Sequence, residues 1–398
     1  VDDVSQPPGD PEVAAIARRF GDMAEQVFTR MALYKRLCEG VAADPEVAAR
    51  LLLAPEDQRV PNLLLAAVHD VLLSGLDDPL ADWFPSIPAT RGAPGHRVRP
   101  VGQGADDPWP RFRALALEHP GVAELLATRT TQTNEIGRTV ALVPALYLAS
   151  VTAGSEAFGG VRPLGMVDVG ASAGLNLRLD AYGYRYRLAP SRADVGESSE
   201  VVECVGPRAR LRLECQLRGP GVPALPTAPQ PLESAVGLDR QPIDVLEPAD
   251  ARWLVACQWP EETERLDRLR EAMRLAEPDV PVVERGDLVD DIAPLIARVP
   301  PRALPVVTAT WTLAYLSVDR QQQFMDRLER CAVDRDLALV YAEQPERVPG
   351  LPLPPRPDGE DDGRATALVL LHWHHGERRD LRLADLHPHG RWMEWLHR

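Results

Sequence analysis

The residues with the clearest chemical meaning form the run Met166-Val167-Asp168-Val169-Gly170-Ala171-Ser172-Ala173-Gly174-Leu175. Apolar residues lead to an acid, then Gly170, Ser172 and Gly174 follow as small turn residues, and Asn176 opens the next amphipathic stretch. This order predicts a buried strand, a tight glycine loop and a helix start, the ligand-binding turn of a doubly wound sheet. Glycine suits such a turn because bare backbone can approach a ligand closely. Asp168, at the strand end, can hold a cationic or hydroxyl group. The spacing G-x-S-x-G is not the dinucleotide pattern G-x-G-x-x-G, and the chain's only lysine is Lys35, so no P-loop is present.

Ligand residues of such a sheet are expected at the carboxyl ends of the following strands. The chain offers Asp239 after Val236-Gly237-Leu238, then Gly286-Asp287, then Thr310-Trp311 with Tyr315. Each also has a plain structural reading. Asp239 can cap a turn, Gly286-Asp287 can cap a helix over Leu288–Arg298, and Trp311 and Tyr315 at i, i+4 can pack. Asp239 lies 71 residues after Asp168, against about 20 in a compact unit, so an insertion must fill the gap. General-base candidates are Tyr315, Glu343 after a fifth strand, and His372 and His374 at the end of a sixth. A polar knot, Gln132, Asn134, Glu135 and Arg138, precedes the first strand and is placed to contact substrate or a cofactor carboxylate. Histidines concentrate at the C-terminus, but without nearby cysteines or an H-x-x-x-H or H-E-x-x-H helix, so no metal site is assigned.

These groups need elements to hold them. Residues 11 to about 155 carry helical apolar periodicity: Ile16, Phe20, Met23 and Val27 share a face, Pro45 and Pro61 open helices, and another runs from Trp109 to about Arg129. After Gly165 short apolar runs alternate with amphipathic helices, as in βαβ units. The predicted strands are Met166–Val169, Val236–Leu238, Val280–Glu284, Pro305–Ala309, Leu337–Ala342 and Ala367–His372. Helices are expected over Glu261–Leu275 and Asp319–Cys331, and a last one over Trp392–Leu396. The organisation is therefore an all-helical N-terminal cap domain, 1–155, followed by a Rossmann-like, mostly parallel α/β domain, 156–398. An insertion at 183–231, holding a strand pair at Tyr184–Leu188 and Arg210–Leu217, and a proline-rich loop at 344–363 interrupt the second domain.

The 398 residues carry a formal charge of −15, which argues against a nucleic-acid partner and favours a small-molecule substrate. Five cysteines without a C-x-x-C pair and an acidic opening without a signal-peptide pattern lead to the expectation of a cytoplasmic protein. The longest apolar run, Val140–Val151, contains Pro144 and is too short for a bilayer, so no membrane association is expected. The apolar helices of the first half could serve a homodimer.

The pattern h-h-D-h-G-x-S-x-G resembles motif I of class I S-adenosylmethionine (SAM) methyltransferases. That resemblance implies a cofactor lying on Asp168, Gly170, Ser172, Gly174 and Asn176, with Asp239 at the ribose and Gly286-Asp287 at the adenine. Thr310 and Trp311 would then stand where methyl donor and acceptor meet. The blocks Leu33–Cys38, Pro61–His69, Thr131-Gln132-Thr133-Asn134-Glu135-Ile136-Gly137-Arg138, Asp168–Asn176, Cys257-Gln258-Trp259-Pro260 and Pro388–Trp392 resemble the domain of unknown function 2332 family over nearly the whole chain. That family carries no assigned activity. Two other readings stay open: a nucleotide- or metal-dependent enzyme centred on the C-terminal histidines, and a non-catalytic binding protein on the same fold.

Overall fold

A computed structural model describes residues 10–87, 98–154, 160–188, 201–204, 209–227, 232–356 and 365–397. Parts of the expected insertion (189–200, 205–208 and 228–231) and of the second loop (357–364) lie outside the described residues. The described helices are α1 (Pro11–Gln26), α2 (Ala32–Ala42), α3 (Pro45–Ala48), α4 (Pro61–Leu73), α5 (Trp109–Glu118), α6 (Pro120–Thr128), α7 (Thr139–Thr152), α8 (Pro248–Ala256), α9 (Thr263–Ala276), α10 (Ile292–Arg298) and α11 (Val318–Ala332). None is long and apolar enough to cross a membrane. Two compact units emerge: residues up to Thr133 with Leu246–Arg270, and Asn134–Val245 with Glu271–Arg398.

In the first unit the described elements are helical. The α4 helix is apolar around almost its whole circumference and buried from Leu63 to Leu72, so it forms the unit's centre. The helix expected from Trp109 to Arg129 is split into α5 and α6 at His119-Pro120. The residue before a proline is pushed out of helical geometry, and His119 then caps α6 through its ring nitrogen. The segment Leu246–Arg270 joins this unit through Trp253, whose indole donates to Thr130 O, and through the Arg129–Asp250 ion pair. The unit division at Thr133/Asn134 thus differs from the sequence-derived boundary near 155, because α7 packs with the second unit's sheet.

The second unit is built on an eleven-stranded mixed sheet. Its strands are β1 (Leu164–Val169), β2 (Gly183–Leu188), β3 (Val201–Cys204), β4 (Arg212–Arg218), β5 (Leu232–Asp239), β6 (Val283–Arg285), β7 (Leu304–Thr310), β8 (Leu337–Glu343), β9 (Thr366–His374), β10 (Glu377–Leu386) and β11 (Trp392–Trp395). The order is β3-β2-β4-β11-β10-β9-β8-β7-β1-β5-β6. Six of the ten pairings are parallel, which makes the sheet mostly parallel. After β1 the chain first builds β2, β3 and β4 at the far end of the sheet, then lays β5 and β6 on one side of β1 and β7 and β8 on the other. A topological switch point therefore lies between β1 and β7. Strands β1, β7 and β8 are buried on both faces, which is why they read as continuous apolar runs rather than alternating ones. One face packs Val167, Val307, Leu339 and Val369 against α10 and α11.

Two expectations are corrected here. The C-terminal stretch Trp392–Trp395 is the strand β11, not a helix, and it lies between β10 and β4. Met393 and Trp395 share the buried face, while Trp392 is half-buried; the i, i+3 spacing of the two tryptophans suggests a helix only when the pairing partner is unknown. The other is the placement of His372 and His374 at the ligand end of the sheet, since β9, which ends with them, runs antiparallel to β8.

Candidate functional site

The site is built where β1, β7 and β8 end. After Val169 the chain turns through Gly170 (φ 67°), Ser172 (φ 54°) and Gly174 (φ 70°). The loop is tied to the end of β5: the Gly170 N–H donates to Leu238 O at 2.8 Å, and the Ser172 N–H donates to Asp239 Oδ2 at 2.8 Å. Asp239 Oδ1 accepts from the Gln241 N–H at 2.8 Å. Asp239 is thus the clasp that joins the glycine loop to β5. A Cβ on Gly170 would stand 2.3 Å from Thr312 Oγ1, and one on Gly174 would stand 2.7 Å from Pro281 Cβ. Both glycines are required first by the chain's own packing, since positive φ and a close neighbour each exclude a side chain.

The polar knot divides. Gln132 falls in the first unit, buried, with its N–H toward Cys257 Sγ. Asn134, Glu135 and Arg138 belong to the second unit and brace the glycine loop and the strand ends. Asn134 Oδ1 accepts from the Leu175 N–H at 3.0 Å, fixing the 3-10 turn Leu175–Ala181 that follows Gly174. Arg138 donates through Nη1 to Thr310 O at 2.9 Å and through Nε to Pro388 O at 3.0 Å, and its guanidinium lies 5.5 Å from the Trp311 ring centre. Glu135 Oε1 accepts from the Gly137 N–H, and Oε2 stands 3.2 Å from His389 Nδ1. His389 is therefore part of this assembly. Gly390 packs so closely on Gly137 that a Cβ would meet Gly137 O at 2.0 Å.

Two buried carboxyls flank the switch point. Asp168 accepts a hydrogen bond from Thr308 Oγ1 at 2.6 Å. Burial pushes its pKa up to about 7; Thr308 opposes that rise, Asp239 adds to it and Arg138 opposes it. Glu343, at the end of β8, accepts through Oε1 from the Thr312 and Leu313 N–H groups at 2.7 and 2.8 Å. Burial raises it to about 7 against those two N–H groups, Arg138 and Arg347. The turn that Glu343 holds contains Trp311 at φ 56°, a conformation that costs a bulky side chain roughly 1–3 kcal/mol. Four buried polar atoms around the switch point have no hydrogen-bond partner among the described residues: Ser172 Oγ, Asn176 Oδ1, Trp311 Nε1 and Glu343 Oε2. Native interiors rarely leave such groups unpaired, and strained backbone also gathers at functional sites. Carboxyls poised near neutrality can accept or release protons there.

Other expected residues stand elsewhere. Tyr315 is 76 % exposed, on the solvent side of the 3-10 turn Leu313–Tyr315. His372 and His374 lie at the opposite end of the sheet, because β9 is antiparallel: Ala338 pairs with His372, whereas Glu343 pairs with Ala367. Five residues of strand separate those levels, roughly 16 Å. Asp287 is engaged by Arg240 and Arg320 and caps the turn before α10 by accepting from the Val289 and Asp290 N–H groups. Partial burial raises its carboxyl, but Arg240 and those N–H groups outweigh it and hold the pKa below its usual range. The Gly286 N–H donates to Asp239 O. Sequence reading missed Thr308, Thr312 and His389; only the polar character of Thr308 and Thr310 inside an apolar run signalled that this strand does more than pack.

No curated protein matches the chain. A family match covers residues 17–395, and the chain belongs to that family, described as an uncharacterized protein conserved in bacteria (DUF2332).

Proposed function

We propose that this protein is a SAM-dependent methyltransferase of class I type that acts on a small-molecule acceptor. The observation that carries the reading is the glycine loop at the carboxyl end of β1, beside the switch point, with unpaired buried polar atoms around it. Open α/β sheets bind ligands in that crevice. The strand order β6-β5-β1-β7-β8 with antiparallel β9 beside β8 suits such an enzyme.

The fit to the cofactor is uneven. Ser172 Oγ and Asn176 Oδ1 are free to meet its polar atoms. Asp239 already accepts two N–H groups, yet each carboxylate oxygen keeps a second lone pair for a ribose hydroxyl. Asp287 does not fit, since its carboxylate is committed to two arginines, and it is left out of the proposal. When bound, the cofactor supplies an activated methyl group for in-line displacement, a reaction governed mainly by positioning. Arg138 and Glu343 rigidify the Thr310–Leu313 turn from opposite sides. Glu343 Oε2, unpaired and near neutrality, is the group suited to take a proton from an acceptor. Asp168 is sealed beneath Thr308 and serves as a positioning residue. The charge of −15 disfavours a nucleic-acid acceptor.

Calorimetry of the purified chain with SAM and S-adenosylhomocysteine, with NAD and ATP as controls, tests the assignment. Micromolar binding of the adenosyl compounds alone is expected. A folded protein that binds neither removes the methyltransferase reading.

A further inference from the structure

We propose that the β9–β10 hairpin carries a divalent transition-metal site formed by His374, His375 and Asp336. One ligand atom from each of these residues lies within 4.8 Å of the others. His374 Nδ1 stands 3.1 Å from Asp336 Oδ2. Metal–ligand bonds of about 2.0–2.1 Å set neighbouring ligand atoms roughly 3.0–3.4 Å apart, so this edge is already at coordination spacing. Asp336 Oδ1 accepts from the His375 N–H at 3.0 Å, which orients the carboxylate from the far side, as supporting hydrogen bonds do for metal ligands.

The hairpin itself argues for His375 as a ligand. Its two turn residues, His375 and Gly376, have φ of 51° and 80°, a geometry for which Asn-Gly is the favoured pair. A histidine there gives up local preference while placing an exposed imidazole beside His374, with ring centres 4.0 Å apart. Behind them His372, 2 % exposed, stacks on His374 at 5.6 Å. Its Nε2 has no hydrogen-bond partner among the described residues.

Two imidazoles and one carboxylate suit Zn2+, Co2+, Ni2+ or Cu2+ and not the all-oxygen preference of Ca2+ or Mg2+. The opposing feature is Arg162, whose Nη1 donates to Asp336 Oδ2 at 2.7 Å. A metal must share that oxygen with the guanidinium or displace it, so Arg162 weakens the site and supplies a direct test. The site lies at the end of the sheet away from the glycine loop, and its occupancy is independent of adenosyl binding.

The full-length chain, stripped with chelator, is titrated with Zn2+ by calorimetry and with Co2+ by absorption. Stoichiometric uptake with a cobalt–imidazole spectrum is expected. His374→Ala should weaken it at least tenfold. His375→Asn should do the same while keeping the hairpin, because Asn tolerates positive φ. Arg162→Gln should tighten binding. Absence of stoichiometric uptake overturns the proposal, and so does uptake that both histidine variants leave unchanged or that follows His387 and His389.

Discussion

Replacing Glu343 with glutamine isolates the most consequential electrostatic feature of the second unit. Glu343 has an ordinary value of 4.5 and is raised to about 7 by burial. The folded state therefore holds a proton that the unfolded chain releases between about pH 4.5 and about pH 7. Below that window the group is protonated in both states. As pH rises through it, stability is lost, and above it the loss is complete. The interval from 4.5 to about 7, at about 1.36 kcal/mol per pH unit, makes that loss about 3 kcal/mol. The Glu343→Gln variant keeps a carbonyl oxygen for the Thr312 and Leu313 N–H groups but cannot ionise. Urea unfolding of both proteins from pH 4.5 to pH 8 is the assay. The difference in unfolding free energy between the Glu343→Gln variant and wild type should grow by about 3 kcal/mol in favour of the variant across the window, and both curves should keep the slope contributed by Asp168. A constant difference would refute the argument, since it would mean that Glu343 titrates alike in both states. Glu343→Ala gives the complementary result: two buried N–H groups lose their acceptor, a cost of about 2–5 kcal/mol at pH 4.5 that should shrink by about 3 kcal/mol by pH 8, because the variant also lacks the ionising group.

Thr308→Val removes the donor to Asp168 Oδ1 and should cost about 2 kcal/mol at pH 8, where the carboxyl is largely ionised; denaturant unfolding at pH 8 and pH 5 should show a smaller loss at the lower pH. Gly170→Ala places a Cβ 2.3 Å from Thr312 Oγ1 at a φ of 67°, so thermal or urea unfolding should report a loss of about 2–4 kcal/mol, and the variant cannot serve as a fold-neutral probe of cofactor binding. Tyr315→Phe alters a side chain that is 76 % exposed, so stability should change by less than about 0.5 kcal/mol and adenosyl affinity not at all by calorimetry.

Much of the second unit was legible as local pattern. The runs at 164–169, 304–310 and 337–343 are continuously apolar because helices or neighbouring chain cover both faces of the sheet, and the glycine loop announced itself by composition. The short β6 was less clear, because Pro281 breaks the predicted run and leaves Val283–Arg285 as an edge strand. The strands β10 and β11 escaped notice: β10 carries the polar stretch Glu377–Asp380, and Trp392–Trp395 is too short to distinguish a period of two from one of 3.6.

The sequence by itself determined the order of apolar strands, the acid-to-glycine turn after β1 and the family to which the chain belongs, since all three depend on residues adjacent in the chain. Tertiary structure alone decided the direction of β9, which carries His372 and His374 away from the glycine loop. It also decided that Asp239 clasps the glycine loop through the chain's own N–H groups and that Asp287 is committed to two arginines, while Glu343 keeps an unpaired oxygen. The physical reason is the same in each case. Periodicity records which faces of an element are buried, but strand direction and hydrogen-bond partners are set by contacts between residues far apart in sequence, and those contacts leave no local pattern.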